Sequence, residues 1–234
     1  MKITIACPGR FHVGDLAREL DALGHDVHFH SISPGAKLSA IGVPRRIQRS
    51  HLGRVLPWVL LQRYGRLGQA MSDRVARRLL ESLDCAYVQV HEKEDVFIGM
   101  SGLCVKSLKA AKRRGAKVIL ERGSRHILSQ REILDRLPGA AAGGSSVPDW
   151  IVDRELEGYE LADVISIPSR HVEESFLERG FSREKLFRNP YGVDLQAFSA
   201  VPNSLREFDV VMTGTWSHQK GCGVLAEAVL KRLK

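Results

Sequence analysis

Apolar positions along the chain change period in a regular order. Residues 3–7 form a short β-prone run that Pro8 and Gly9 close. Val13, Leu16, Ala17, Leu20 and Leu23 then recur at three- and four-residue spacing, which predicts a helix with one apolar stripe. Gly24 ends that helix as a left-handed cap would, and residues 27–32 resume extended structure. The alternation returns as strand 86–90, helix 102–114, strand 116–120, helix 152–161, strand 164–167, helix 169–179 and strand 185–187. A last strand at 209–213 precedes a helix carrying Val224, Leu225, Ala228 and Val229. Strands and helices in strict alternation predict an α/β fold, a parallel sheet covered by helices on both faces. Ligands in such sheets bind beyond the carboxyl ends of the strands, so the loops there hold the candidate chemistry.

Composition narrows this picture. The 234 residues exceed one average domain and fall short of two. No apolar run approaches the roughly 20 residues a spanning helix needs, and the amino terminus reads as a first strand rather than a signal peptide. Cys7, Cys85, Cys104 and Cys222 are scattered without paired spacing, which argues against a zinc site or disulfide framework and for a reducing, cytoplasmic location. The run GAAAGGSS at 139–146 reads as a mobile loop.

The net charge of +8 favours anionic partners, and it is unevenly placed. Between Pro44 and Arg78 lie Arg45, Arg46, Arg49, Arg54, Arg63, Arg66, Arg74, Arg77 and Arg78, opposed only by Asp73. Leu56, Trp58, Leu60, Leu61 and Tyr64 are interspersed among them. Three interpretations stay open: a solvated helical face, a membrane-surface helix with Trp58 and Leu60 dipping into the interface, or a nucleic-acid patch. Arg54, Trp58 and Arg63 are the candidate contacts for an acceptor or membrane. Glu155 and Glu157 tempt as a carboxylate pair, but i,i+2 residues point apart on a helix, and a solvated acidic face is expected.

Residues 160–198 read ELADVISIPSRHVEESFLERGFSREKLFRNPYGVDLQAF. This run resembles the retaining glycosyltransferases of family 4, with Ala162-Asp163-Val164-Ile165, Ser169, Gly180, Lys185-Leu186, Asn189-Pro190-Tyr191-Gly192-Val193-Asp194 and Phe198 in family order. The resemblance implies a two-domain GT-B fold: a Rossmann-like acceptor-side domain over residues 1–200 and the beginning of a nucleotide-sugar-binding domain at 201–234. It implies transfer of a sugar from a nucleotide-diphosphate donor to an acceptor, lipid-linked or a polysaccharide precursor, with retention of configuration and no cofactor or metal. A missing remainder of the second domain and an inactive isolated chain are also implied. Location would be cytoplasmic, or peripheral on the inner face of a membrane.

The same resemblance assigns residues. Residues 211–221 (VMTGTWSHQKG) look like the loop that opens the donor domain, with Gly214, Thr215, Lys220 and Gly221 at the diphosphate. Thr215 stands where relatives carry Arg, and this departure favours the alternative of a non-catalytic binding module that uses the Arg-rich face. A Lys behind a Gly-rich loop and ahead of a helix suits a diphosphate. Gly9, with Arg10 and His12, occupies the place of the family's first loop, although a plain strand-to-helix turn explains it equally. In the loop ERGSRH, Arg122 holds the position where relatives place a His by the sugar, and His126 is the nearby histidine. His126 would touch the sugar or support the reaction centre, or else be a surface histidine. His91 would end the strand 86–90. Asp163 is better explained by hydrogen bonding at an element's end than by catalysis.

Overall fold

A computed structural model describes residues 1–9, 11–65, 67–89, 93–137, 147–193, 210–216 and 220–232. Two compact units emerge: residues Met1–Ile127 with Asp149–Tyr191, and Leu128–Pro148 with Gly192–Lys234.

The first unit is built on a seven-stranded, all-parallel sheet in the order β3-β2-β1-β4-β5-β6-β7. Its strands are β1 Lys2–Ala6, β2 Asp26–Ser31, β3 Gln48–Ser50, β4 Val96–Met100, β5 Lys117–Glu121, β6 Val164–Ile167 and β7 Leu186–Arg188. Its helices are α1 Val13–Ala22, α2 Gly35–Ala40, α3 Leu52–Tyr64, α4 Gln69–Val88, α5 Val105–Arg113, α7 Asp149–Leu161 and α8 Arg170–Leu177; α6 Ile127–Asp135 starts at its border. The expected Rossmann-like α/β architecture is present. From β1 the chain winds outward through β2 and β3, then returns to β4 on the other side of β1 and winds the opposite way. The switch point lies between β1 and β4, where such sheets leave a crevice beyond the strand ends.

Central strands covered on both faces must be apolar throughout. β1 is buried over Ile3–Ala6, and Ile3, Ile5 and Cys7 join Val27, Phe29 and Ile98 from its neighbours. Val13 and Ala17 of α1 and Leu38 of α2 close this core. Gly99 on β4 lets α5 begin close by, since a side chain there would press on Cys104.

Two expected elements differ. Residues 86–89 form no strand: α4 runs on through Val88, and the strand is β4 at Val96–Met100, with Val90 outside the described residues. The alternation in AYVQV resembles a strand, but Val75, Leu83, Ala86 and Tyr87 are buried at helical spacing. The Tyr87 hydroxyl donates to the Cys7 carbonyl at 3.2 Å, which fixes that helix on the core. His91, expected to end the strand, lies outside the described residues, as does the loop at 139–146. In the second unit, 210–213 join no strand among the described residues, and Val210 and Val211 are exposed. Helix α9, Cys222–Arg232, forms as expected.

Candidate functional site

The loop after β1 opens the site. β1 ends at Ala6, and Cys7 to Gly9 lead outward to His12, the residue that starts α1. A Cβ at Gly9 would meet no atom within 4 Å, so open space lies beside this backbone. Burial pushes the Cys7 thiol up to about 12, only partly offset by its bond to the Gly9 carbonyl, so it is an inert core thiol. Arg10 lies outside the described residues. The His12 side chain is 23% exposed, and its Nε2 sits 3.1 Å from Oε2 of Glu121. Glu121 is the buried last residue of β5, and it comes from 109 positions away in sequence.

Tyr191, from the crossover after β7, completes the group. Its ring lies 4.0 Å centroid to centroid from the His12 imidazole, tilted by 30°. Its hydroxyl packs over Gly123, where any side chain would collide with it. Partial burial raises the Tyr191 phenol above its ordinary range, and the Glu121 charge adds to the rise. An imidazole fixed by a carboxylate at one nitrogen and an aromatic ring on its face presents a defined hydrogen-bonding atom at the other. Such an atom can bind or orient a hydroxyl. His12 was expected here. Glu121 and Tyr191 were missed, although an acid closing a central parallel strand, and Tyr at a variable place in PYGVD, were visible signals.

Arg122 and His126 are committed elsewhere. The buried Arg122 guanidinium reaches Oε1 of Glu155 at 2.7 Å and donates twice to the Arg125 carbonyl, at 2.7 and 3.1 Å. Its backbone N–H donates to Ser166 at 2.9 Å, so residue and loop are braced together. Ser101 also donates its hydroxyl to Glu155. The solvated acidic face expected for Glu155 is thus corrected: it is a buried ion-pair partner, because α7 turns it toward the sheet. Glu157 points outward to Lys109. His126 is only 2% exposed, which corrects the surface-histidine alternative. Its ring lies among Tyr159, Phe176 and Phe181 at 5.0–5.5 Å, and its backbone N–H donates to the Ser175 hydroxyl. Burial opposes ionisation of Asp163, but bonds from the Val118 amide and Lys112 outweigh it and hold the carboxyl low, a structural role as expected.

The donor-loop residues belong to the second unit. Gly214 and Gly221 adopt φ values of +127° and +70°, a left-handed backbone that favours glycine. Thr215 and Lys220 are exposed, and Lys220 stands two residues ahead of α9, whose amino terminus favours anions. Residues 217–219 lie outside the described residues. Among the described residues, no group of three or more His, Cys, Asp and Glu side chains is placed to hold a metal ion. On α3, Arg54 is exposed and donates to Gln89 at 2.5 Å, Arg63 is exposed above the Tyr64 ring at 5.5 Å, and Trp58 is half-buried.

Several solved structures are similar to the chain at low sequence identity. One is the UDP-N-acetylglucosamine 2-epimerase from Rickettsia bellii, at 13% identity, 82% of this chain, 45% of that chain and a TM-score of 0.47. Another is a ugt transferase from Siraitia grosvenorii in complex with UDP, at 11% identity, 80% of this chain, 50% of that chain and a TM-score of 0.46. A third is Phytolacca americana UGT2 complexed with UDP-2fluoro-glucose and pterostilbene, at 12% identity, 82% of this chain, 53% of that chain and a TM-score of 0.48. The chain spans about half the length of each. No curated protein sequence matches. The model of Glycosyltransferase Family 4 matches residues 10–197, most of the chain, through the first loop, the ERGSRH loop and the PYGVD crossover. The chain therefore belongs to glycosyltransferase family 4.

Proposed function

We propose that the protein transfers a sugar from a nucleotide-diphosphate donor to an acceptor hydroxyl, with retention at the anomeric carbon. Residues 1–200 form the acceptor-side domain and 201–234 the start of the donor side. The observation that carries this is the His12–Glu121–Tyr191 group beyond the carboxyl ends of β1 and β5, supported by family membership. Glu121 holds the Nε2 side of the imidazole, so Nδ1 is placed to accept a hydrogen bond from a sugar hydroxyl that does not react. In transfer the acceptor oxygen bonds to the anomeric carbon, the bond to the diphosphate breaks, and its electron pair leaves with the phosphate. The hydroxyl proton departs with the diphosphate.

Catalysis of this kind rests on positioning and on stabilising the departing charge. Lys220 offsets that charge, with the amides of Gly214 and Gly221 and the amino terminus of α9. Gly9 leaves room for phosphate or sugar to approach the first loop. The family position held by Arg122 is assigned here to bracing rather than to the sugar, and His126 to shaping the loop from below. The donor is a co-substrate, and no resident cofactor or metal enters the scheme. The acceptor site is cytoplasmic in this scheme, and lipid-linked acceptors suit it.

Titrating the full chain with UDP, GDP and ADP tests the donor side. At least one is expected to saturate, and Lys220→Ala should weaken it at least tenfold. Unchanged binding by Lys220→Ala overturns the donor-site assignment. Thr215 at the family's Arg position favours a second reading, a non-catalytic binding module. Such a module would show no nucleotide saturation at all.

A further inference from the structure

Helix α3 is apolar on both sides. Its inward side is set by Val55, which is fully buried, with Val59 and Trp58 half-buried beside it, where α3 packs against α4. An ordinary surface helix would carry charge on the opposite side. Instead Leu56, Leu60 and Tyr64, at i, i+4 and i+8, form one outward row, with Pro57 and Leu61 alongside. These four leucine and tyrosine side chains are 40–70% exposed. By helical spacing, Arg54 and Arg63 fall on the two edges of this stripe, and both are exposed. Trp58 lies toward the inward side, so it is not the residue that leads the surface.

A contiguous exposed apolar stripe marks an interaction site. The surrounding charge says what kind. The segment from Pro44 to Arg78 holds nine arginines and one aspartate, a balance equal to the whole chain's +8, so the rest of the protein is net neutral. Of these arginines, Arg45, Arg54, Arg63 and Arg74 are exposed with no carboxylate partner among the described residues, whereas Arg46 reaches Asp21, and Arg77 and Arg78 reach Glu81. An apolar stripe that is edged by cations and continuous with a basic segment complements an anionic bilayer surface: the acyl boundary takes the leucines, and the headgroups take the guanidinium groups. Among the described residues no helix is long and apolar enough to cross a membrane, so the contact is one of lying on the surface.

We infer that α3 is a docking face for an anionic lipid leaflet, with Leu56, Leu60, Leu61 and Tyr64 inserted and Arg54 and Arg63 at the headgroups. This goes beyond the transfer reading and stands without it. The test is sedimentation of the full chain with vesicles of phosphatidylcholine containing 30% phosphatidylglycerol, against phosphatidylcholine alone. Anionic vesicles are expected to retain the protein, and 300 mM salt to weaken retention. Leu60→Glu with Tyr64→Glu should lower partitioning at least tenfold. Arg54→Gln and Arg63→Gln should each lower it about fivefold, the equivalent of roughly 1 kcal/mol per cation.

Both apolar positions are exposed, so folding is expected to survive. If the glutamate pair fails to fold, Leu60→Ser with Tyr64→Ser carries the same test. Nucleoside-diphosphate binding, where the wild type shows it, should be unaltered in these variants, which separates this proposal from the donor assignment. Wild-type retention by the apolar variants overturns the proposal. So does absence of retention on anionic vesicles, whether the chain then binds a poly-uridine oligonucleotide or dimerises through this stripe.

Discussion

Two buried glutamates serve the carboxyl ends of the sheet, and they are used in opposite ways. Glu155 faces a buried arginine that is itself saturated by the Arg125 carbonyl, with the Ser101 hydroxyl added. Every charge there is answered by another charge or a fixed dipole. Glu121 faces a partly exposed imidazole under an aromatic ring, and among the described residues nothing with a permanent charge is bonded to its carboxylate. A carboxylate matched by a permanent cation holds structure together. A carboxylate matched by a titratable, solvent-facing group leaves that group ready for a ligand. The difference is one of partner, since both acids are nearly inaccessible to water.

The largest test breaks the first pair. Glu155→Ala leaves the Arg122 guanidinium buried and uncompensated, which should cost about 3–5 kcal/mol. Urea unfolding should show this, and a loss under 1 kcal/mol would mean that the bracing role is misassigned.

A second contrast comes from histidines. His12 pairs with an acid, whereas the buried His30 Nδ1 and His51 Nε2 pair with each other at 2.8 Å. Burial lowers the His51 pKa, and the nearby Arg54 charge adds to the drop. The unfolded state therefore binds the proton more readily. Stability is whole above the ordinary imidazole value near 6.5 and falls as the pH drops below it toward the lowered folded value. The groups facing this pair are Tyr87 from α4, edge-on to both rings, and Arg54 on α3 itself. Melting temperature between pH 7 and pH 5 should fall in the wild type and fall less in His51→Phe. Equal slopes would place the acid sensitivity elsewhere.

The smallest effect sharpens the second pair. Glu121→Gln should cost about 1 kcal/mol or less, since Gln can still accept from the imidazole. Removing the charge should nonetheless let the Tyr191 phenol titrate at lower pH, which ultraviolet absorbance of the phenolate reads directly. An unmoved phenol would show that Glu121 does not act on this group.

The α/β alternation was legible because helical and strand periods are local properties. Strand β6 at Val164–Ile167 has the expected bounds, and helices α1 and α5 fall close to theirs. The failure at residues 86–90 shows the limit: a short run of β-branched and aromatic residues satisfies both periods, and only the seating of Tyr87 on Cys7 decides for helix. His12 could be singled out from its loop. Its partner could not, because only the parallel pairing of β1, β4 and β5 brings Glu121 across 109 residues to meet it. The surroundings of Arg122 and His126 were illegible for the same reason, since position within a motif says nothing about the direction of a side chain.

By itself, then, the sequence determined the class of fold, the family and the concentration of positive charge, all of which follow from residue order and count. Tertiary structure decided which charges are spent and which are open. It buried Glu155 on Arg122, left His12 between Glu121 and Tyr191, and turned the leucines of α3 outward. Desolvation and partner geometry depend on three-dimensional neighbours, which residue order does not encode locally.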